Sequence, residues 1–134
     1  MPINHKIRFE TSNDHSAVYD LQDAAFGGDG TIPKLVKDLR ELEAALPVIS
    51  LVAVDDQNKP TGHVMLTHAW IDSWDRMIDV MVLSPLGVRP DVQGTGIGSA
   101  LIEASLAEAE KRSVPMVFLE GNDKYYGPRG FRCA

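Results

Sequence analysis

The stretch LGVRPDVQGTGIGS, residues 86–99, decides how this chain folds. A strand is predicted to end near Val88, and the glycines at 94, 96 and 98 then open the longest predicted helix. The first N–H groups of a helix have no acceptor within the helix, and the helix N-terminus carries roughly half a positive charge. Glycines remove the side chains that would hold an anion away from these groups. The segment therefore predicts a pyrophosphate-binding turn made from backbone alone.

Two other phosphate-binding loops fit the stretch less well. A nucleotide P-loop needs Gly-Lys-Ser/Thr, whereas Gly98 is followed by Ser99 and Ala100. A dinucleotide fingerprint places its third glycine one position later, and it follows the first strand of a parallel βαβ unit. The residues by themselves leave open a third interpretation, in which the glycines only permit a tight strand-to-helix turn.

The rest of the chain reads as an α/β (α+β) domain. Hydrophobic periodicity predicts elements in the order β-α-α-β-β-β-α-β. The strands are predicted at 5–10, 48–54, 61–71, 77–83 and 115–119, the last one buried, and the final helix at 94–111. The first helix, after the capping residues 11–14, should bury Ala17, Val18, Leu21, Ala24 and Ala25. The second, with Pro33 in its first turn, should bury Ile32, Leu35, Val36, Leu39, Leu42 and Leu46 and end at Pro47.

The composition limits the classes of protein to which this chain can belong. The 134 residues fit one domain, and 44% apolar with 24% charged residues is ordinary for a globular protein. No apolar run is long enough to cross a bilayer, and no signal peptide is evident, so no membrane partner is expected. The one cysteine, Cys133, suits a reducing cytoplasm. A net charge of −6 argues against nucleic acid and favours a cationic acceptor.

Two motifs carry a resemblance to the GNAT superfamily of N-acetyltransferases. Residues 93–98, Gln-Gly-Thr-Gly-Ile-Gly, match its signature Gln/Arg-x-x-Gly-x-Gly/Ala. Residues 125–131, Tyr-Tyr-Gly-Pro-Arg-Gly-Phe, are similar to the Tyr-x-x-x-Gly-Phe found after the next strand in many members, although Pro128 and Arg129 stand where an arginine and an aromatic residue are usual. The element order agrees, and the resemblance covers nearly the whole chain.

The resemblance implies a single acyl-CoA N-acyltransferase domain over residues 1–134, with a mixed, mainly antiparallel central sheet flanked by helices. The strand ending near Val88 should splay from the strand 115–119 and open a cleft for pantetheine. Acetyl-CoA is the implied cosubstrate, and no metal is expected. The implied cofactor-binding residues are Leu86, Gly87, Val88, Gln93, Gly94, Thr95, Gly96, Ile97, Gly98, Ser99 and Asn122.

The implied reaction is direct acetyl transfer to a primary amine on a small molecule or a protein. Tyr126 lies four residues before Gly130, where the family's tyrosine stands, and would be the general acid. The base is left open between Asp79, Glu120 and ordered water. No Cys-His pair supports a covalent route, since Cys133 is the second residue from the end.

The main alternative is a catalytically inactive acyl-CoA-binding or regulatory module. Family members typically continue through a final strand pair, whereas this chain ends three residues after Phe131. Among the other candidates, His63 and His68 are interpreted as packed or surface residues. Trp70 and Trp74 are interpreted as core or dimer-surface aromatics, so a homodimer is possible.

Overall fold

The computed structural model describes residues 5–42, 48–119, 126–129 and 131. Within these ranges the predicted element order is confirmed. The strands are β1 (Lys6–Phe9), β2 (Ile49–Val54), β3 (Pro60–Ser73), β4 (Arg76–Val88) and β5 (Val117–Phe118), and the helices are α1 (His15–Ala25), α2 (Thr31–Leu42) and α3 (Ile97–Lys111). Short 3-10 turns cover Ser12–Asp14, Pro90–Val92 and Gly127–Arg129.

The five strands form one sheet in the order β1-β2-β3-β4-β5. The first three pairings are antiparallel, and β4 pairs with β5 in parallel because α3 carries the chain back across the sheet. The expected mixed, mainly antiparallel sheet flanked by helices is therefore confirmed.

The sheet buries a different set of side chains on each face, because successive residues of a strand point to opposite sides. The odd-numbered residues Leu51 and Ala53 of β2 join Ile97 and Leu101 of α3 in the main core. The even-numbered Val52 and Val54 contact Val18 of α1 in a smaller core. Helix α3 thus covers one face and α1 the other, with α2 packed beside α1.

Three expectations about individual elements were wrong in detail. In α1, Ala24 is exposed, and the polar Gln22 is fully buried beside Val18 and Leu21. The last strand comprises Val117 and Phe118 alone and is half-buried. Helix α3 begins at Ile97 and not at Gly94, because Gly94 (φ +77°) and Gly96 (φ +94°) adopt left-handed conformations that a helix cannot include.

In α2 the expected stripe is confirmed where its side chains are described, since Val36 is buried and Ile32, Leu35 and Leu39 are half-buried. Leu46 and Pro47 lie outside the described residues. Among the helices in the described ranges, none combines the length and the apolarity that crossing a membrane would require.

Candidate functional site

Along its C-terminal half, the edge of β4 that faces away from β3 is paired with no strand in the described part of the chain. Strand β5 pairs with it only at Met81 and Val82, where the Met81 N–H donates to the Met116 carbonyl over 3.2 Å. Beyond Val82, β4 runs on for six residues to Val88, and no described strand pairs with that part of the edge. The expected splaying of the two strands and the cleft between them stay a prediction, because residues 120–125, which would continue the parallel register after β5, lie outside the described residues.

Backbone polar groups near the end of β4 point away from β3 at alternate residues. The Arg89 N–H donates to the Thr61 carbonyl over 2.8 Å, and Gly87 lies opposite His63 in the same register. Since hydrogen-bonded and non-hydrogen-bonded pairs alternate in an antiparallel ladder, Gly87 bonds to β3. Leu86 and Val88 therefore direct their N–H and C=O groups away from β3, and the Val88 carbonyl accepts from the Gln93 amide. Pairing with pantetheine would use the two Leu86 groups and the Val88 N–H.

A β-bulge separates the paired and the open parts of β4. Val64 pairs with Leu86 but Leu66 pairs with Leu83, so Ser84 and Pro85 together stand opposite the single residue Met65. The extra residue changes which backbone groups face the edge, from odd-numbered residues before the bulge to even-numbered ones after it. Pro85 suits this irregular pairing, because proline has no N–H to donate to the ladder.

The glycine-rich loop connects this edge to the start of α3. Residues 93 to 96 are exposed, whereas Ile97 and Gly98 are buried in the first turn of the helix. The Gln93 amide donates to the Val88 carbonyl over 3.0 Å, and the Thr95 hydroxyl donates to the Val92 carbonyl over 2.6 Å. These bonds hold the loop against the end of β4 and leave the helix N-terminus facing solvent.

Glycine is needed at positions 94 and 96 because of the backbone conformation there, and not because other atoms of the protein would crowd a side chain. A Cβ at either position would meet no described atom within 4 Å. Open space in front of a helix N-terminus is what an incoming anion needs, because it must approach the free N–H groups closely. Most of the predicted cofactor-binding residues, 86–88 and 93–99, are thus brought together along one continuous edge.

The predicted catalytic residues are not all brought to that edge. Asp79 is exposed and pairs with Trp70, on the side of the β5 pairing away from the cleft. Seven residues of strand separate it from Leu86, which corresponds to roughly 20 Å. Glu120 and Asn122, like Tyr125 and Cys133, lie outside the described residues.

Tyr126 is half-buried and packs against the main core. Its ring meets Phe131 edge-to-face with 5.9 Å between the ring centroids, and the Phe131 N–H donates to the Tyr126 carbonyl. The 3-10 turn that follows it, Gly127–Arg129, lies beside α3. The Tyr126 ring is thus held by its contacts with Phe131 and with the main core.

The aromatic and histidine side chains of β3 and of the turn that follows it divide between core and surface. Trp74 is 97% exposed and Trp70 49% exposed, so neither is a core residue, and a homodimer through them stays a prediction. His68 is half-buried, with its ring against Trp70. His63, in contrast, is fully buried, and burial lowers its pKa to about 4, so the ring is neutral near pH 7.

Sequence reasoning missed the partner of His63. Gln22 of α1 is fully buried, and its amide nitrogen lies 2.8 Å from the His63 Nδ1. One signal was available, because Gln22 lies four residues after Val18 and so on the same helical face. A polar residue at such a position can be recognised only when its partner on another element is known.

Comparisons with known proteins agree with this geometry. Residues 15–131 match the acetyltransferase (GNAT) family. Over 136 aligned positions the chain is 31% identical to YjhQ of Escherichia coli (strain K12), an uncharacterized N-acetyltransferase, covering all of this chain and 74% of that protein.

Two solved structures are similar over 97% of this chain. One is a GNAT family acetyltransferase from Brucella melitensis in complex with acetyl-CoA, 28% identical with a TM-score of 0.85 and 84% of its own chain covered. The other is the GNAT family N-acetyltransferase YhbS from Escherichia coli in complex with CoA, 25% identical with a TM-score of 0.85 and 69% of its chain covered. With the family match spanning most of its length, and with the glycine loop in place before α3, this chain belongs to the acetyltransferase (GNAT) family.

Proposed function

We propose that the protein transfers an acetyl group from acetyl-CoA to a primary amine by direct attack of the amine on the thioester. The observation that carries the proposal is the continuous edge from Leu86 to the first turn of α3. It offers the pantetheine arm the N–H and C=O of Leu86 and the N–H of Val88, which pair with no strand in the described ranges, and it offers the pyrophosphate a glycine-rich helix N-terminus. The complexes of the Brucella and Escherichia relatives with acetyl-CoA and CoA support this cosubstrate.

The cosubstrate would extend along this edge. Its pantetheine amides would exchange hydrogen bonds with Leu86 and accept one from the Val88 N–H, as an added strand does. Its phosphates would receive hydrogen bonds from the N–H groups of residues 94–99, with Gln93 and Thr95 holding the loop in place. The adenosine end would then project into solvent beyond the exposed loop.

The acceptor must lose a proton before it reacts, because an ammonium has no lone pair. The base removes that proton, the amine nitrogen forms a bond to the thioester carbonyl carbon, and the carbon–sulfur bond breaks as the tetrahedral intermediate collapses. The position of Asp79, far along β4, favours Glu120 or ordered water as the base. Tyr126 is proposed to give its proton to the departing thiolate.

A panel of primary amines tests the proposed activity. With saturating acetyl-CoA, release of free CoA thiol should rise above the rate without amine for at least one small polyamine, aminoglycoside or lysine peptide. Because the chain carries a net charge of −6, cationic acceptors are expected to perform best at low ionic strength. An inactive acyl-CoA-binding module would bind acetyl-CoA and show no amine-dependent release with any acceptor.

Cys133→Ala is expected to leave turnover within about twofold of the original rate, because direct transfer needs no thiol nucleophile. The measurement is the steady-state rate of acetylation with the best amine of the panel, together with intact-protein mass after mixing with acetyl-CoA alone. An acetylated Cys133 that accumulates and is lost together with turnover in the variant would contradict direct attack.

A further inference from the structure

Gln22 is a buried polar residue to which the proposed chemistry gives no role. Its amide nitrogen donates to the His63 Nδ1 over 2.8 Å and to the His63 carbonyl over 3.3 Å. Because both contacts need an N–H on Gln22, the Nδ1 is the acceptor and the ring proton lies on Nε2. The other end of the carboxamide, Oε1, is buried and makes no hydrogen bond within the described part of the chain.

A chain of short hydrogen bonds holds His63 at its other ring nitrogen, Nε2. Its Nε2 lies 2.8 Å from the Ser50 hydroxyl, which donates to Glu10 over 2.7 Å. Arg40 of α2 holds the same carboxylate through two bonds of 2.7 and 2.6 Å. Burial raises the pKa of Glu10, but the hydrogen bonds from Arg40 and Ser50 and the nearby positive charge together outweigh burial and keep that pKa below its ordinary value. The carboxylate is therefore a charged anchor, and the imidazole can neither rotate nor shift freely.

The unpartnered oxygen of Gln22 lies against the backbone of the proposed cofactor edge. A Cβ built on Gly87 would overlap the Gln22 Oε1 and lie 2.7 Å from its Cδ. Gly87 therefore has no side chain because the carboxamide occupies that space. Its two neighbours, Leu86 and Val88, are the residues whose backbone groups face the cleft.

We propose that Gln22 is a positioning residue for acetyl-CoA. Held by His63, its carboxamide sets where Gly87 lies and so aims the backbone groups of Leu86 and Val88 at the pantetheine arm. The inference rests on the proposed function, which places pantetheine along that edge. Hydrogen bonds weaken steeply once their geometry is lost, so a small displacement of this strand segment should weaken the pantetheine contacts. The phosphate contacts on α3 should be unaffected, since a different element makes them.

The test compares two ligands by isothermal titration calorimetry. Gln22→Met keeps most of the side-chain volume and deletes both bonds to His63. Its Kd for acetyl-CoA is expected to rise about threefold to tenfold, which corresponds to about one net hydrogen bond. Its Kd for adenosine 3′-phosphate 5′-diphosphate, which carries the phosphates of CoA and no pantetheine, should change by less than about twofold, because separated sites act independently.

Val18→Ala is the matched control, because Val18 is equally buried one turn earlier in α1 and is not bonded to His63. It should lower the melting temperature and change neither Kd. Two results would mean that α1 affects binding only through the overall stability of the protein. One is that Gln22→Met weakens the binding of both ligands equally, and the other is that Val18→Ala loses affinity for acetyl-CoA. An unchanged acetyl-CoA Kd in Gln22→Met would refute the positioning role outright.

Gly87→Ala provides the second variant, in case Gln22→Met folds poorly. The added methyl should weaken the binding of acetyl-CoA selectively. Adding Gln22→Ala in the same chain should restore much of that affinity, because it removes the overlap with the methyl. Failure of that rescue would also contradict the inference. The proposed function fails differently, namely if the unmodified protein binds acetyl-CoA no more tightly than it binds adenosine 3′-phosphate 5′-diphosphate.

Discussion

Tyr126→Phe is expected to lower kcat by roughly 10²–10⁴-fold, the usual contribution of general acid catalysis, while the Kd for acetyl-CoA changes little. A phenol ordinarily has a pKa of about 10, so it retains its proton at neutral pH and can give it to a thiolate. Phenylalanine keeps the ring, its edge-to-face contact with Phe131 and its packing on the core, and deletes only the hydroxyl. Stopped-flow or steady-state acetylation rates with the best amine, beside calorimetric affinities, provide the measurement.

Tyr125→Phe is the natural control, since it removes the same hydroxyl one position away in the sequence. It should leave kcat within about threefold of the original, because Tyr126, and not Tyr125, stands where the family's tyrosine is found. If Tyr126→Phe stays within that range, or if Tyr125→Phe is the variant that loses turnover, the assignment of the acid is wrong. An effect confined to the KM for acetyl-CoA would identify Tyr126 as a packing residue along the cofactor.

Gly96→Val is expected to abolish the rise in melting temperature that acetyl-CoA causes in the unmodified protein. Gly96 has a φ of +94°, and a β-branched residue avoids that region, so the turn before α3 must change shape. The side chain would also fill the open space through which the phosphates reach the helix N-terminus. Thermal denaturation with and without ligand measures the effect. Pantetheine without phosphates should stabilise the unmodified protein much less than acetyl-CoA does.

Gly28→Val separates loss of the site from backbone strain. Gly28 lies between α1 and α2 with a φ of +79°, and a Cβ there would also meet no described atom within 4 Å. Both variants should therefore have a lower melting temperature without ligand, but Gly28→Val should keep the full acetyl-CoA-induced rise. A full rise in Gly96→Val would remove the glycine loop from the binding site.

The element order and the glycine loop could be predicted from the sequence because both depend on local patterns. Alternating apolar residues predict β2 wherever it lies in the fold, and glycines before an apolar helix predict an accessible N-terminus. The first and last residues of the elements could be predicted from the sequence less accurately, and the start of α3 is an example. Glycines that favour a phosphate turn also adopt left-handed conformations, so the helix begins three residues later than the pattern suggested.

Tertiary structure alone decided the features that depend on residues distant in sequence. No local pattern shows that, among the described residues, β5 pairs with β4 at Met81 and Val82, or that a bulge opposite Met65 turns the backbone groups of Leu86 and Val88 away from β3. Asp79 lies in the same strand as Leu86, yet its distance from the cleft follows from where β5 pairs.

Gln22 illustrates the same limit most clearly. A glutamine on an apolar helical face has no evident purpose until His63, 41 residues away, is seen to accept its hydrogen bond. The sequence by itself determined which elements form and where an anion could bind, since neighbouring residues dictate those through backbone conformation and periodicity. Which backbone groups remain unpaired, and which buried side chains hold them in place, was decided by packing between elements, because only the assembled fold sets those distances.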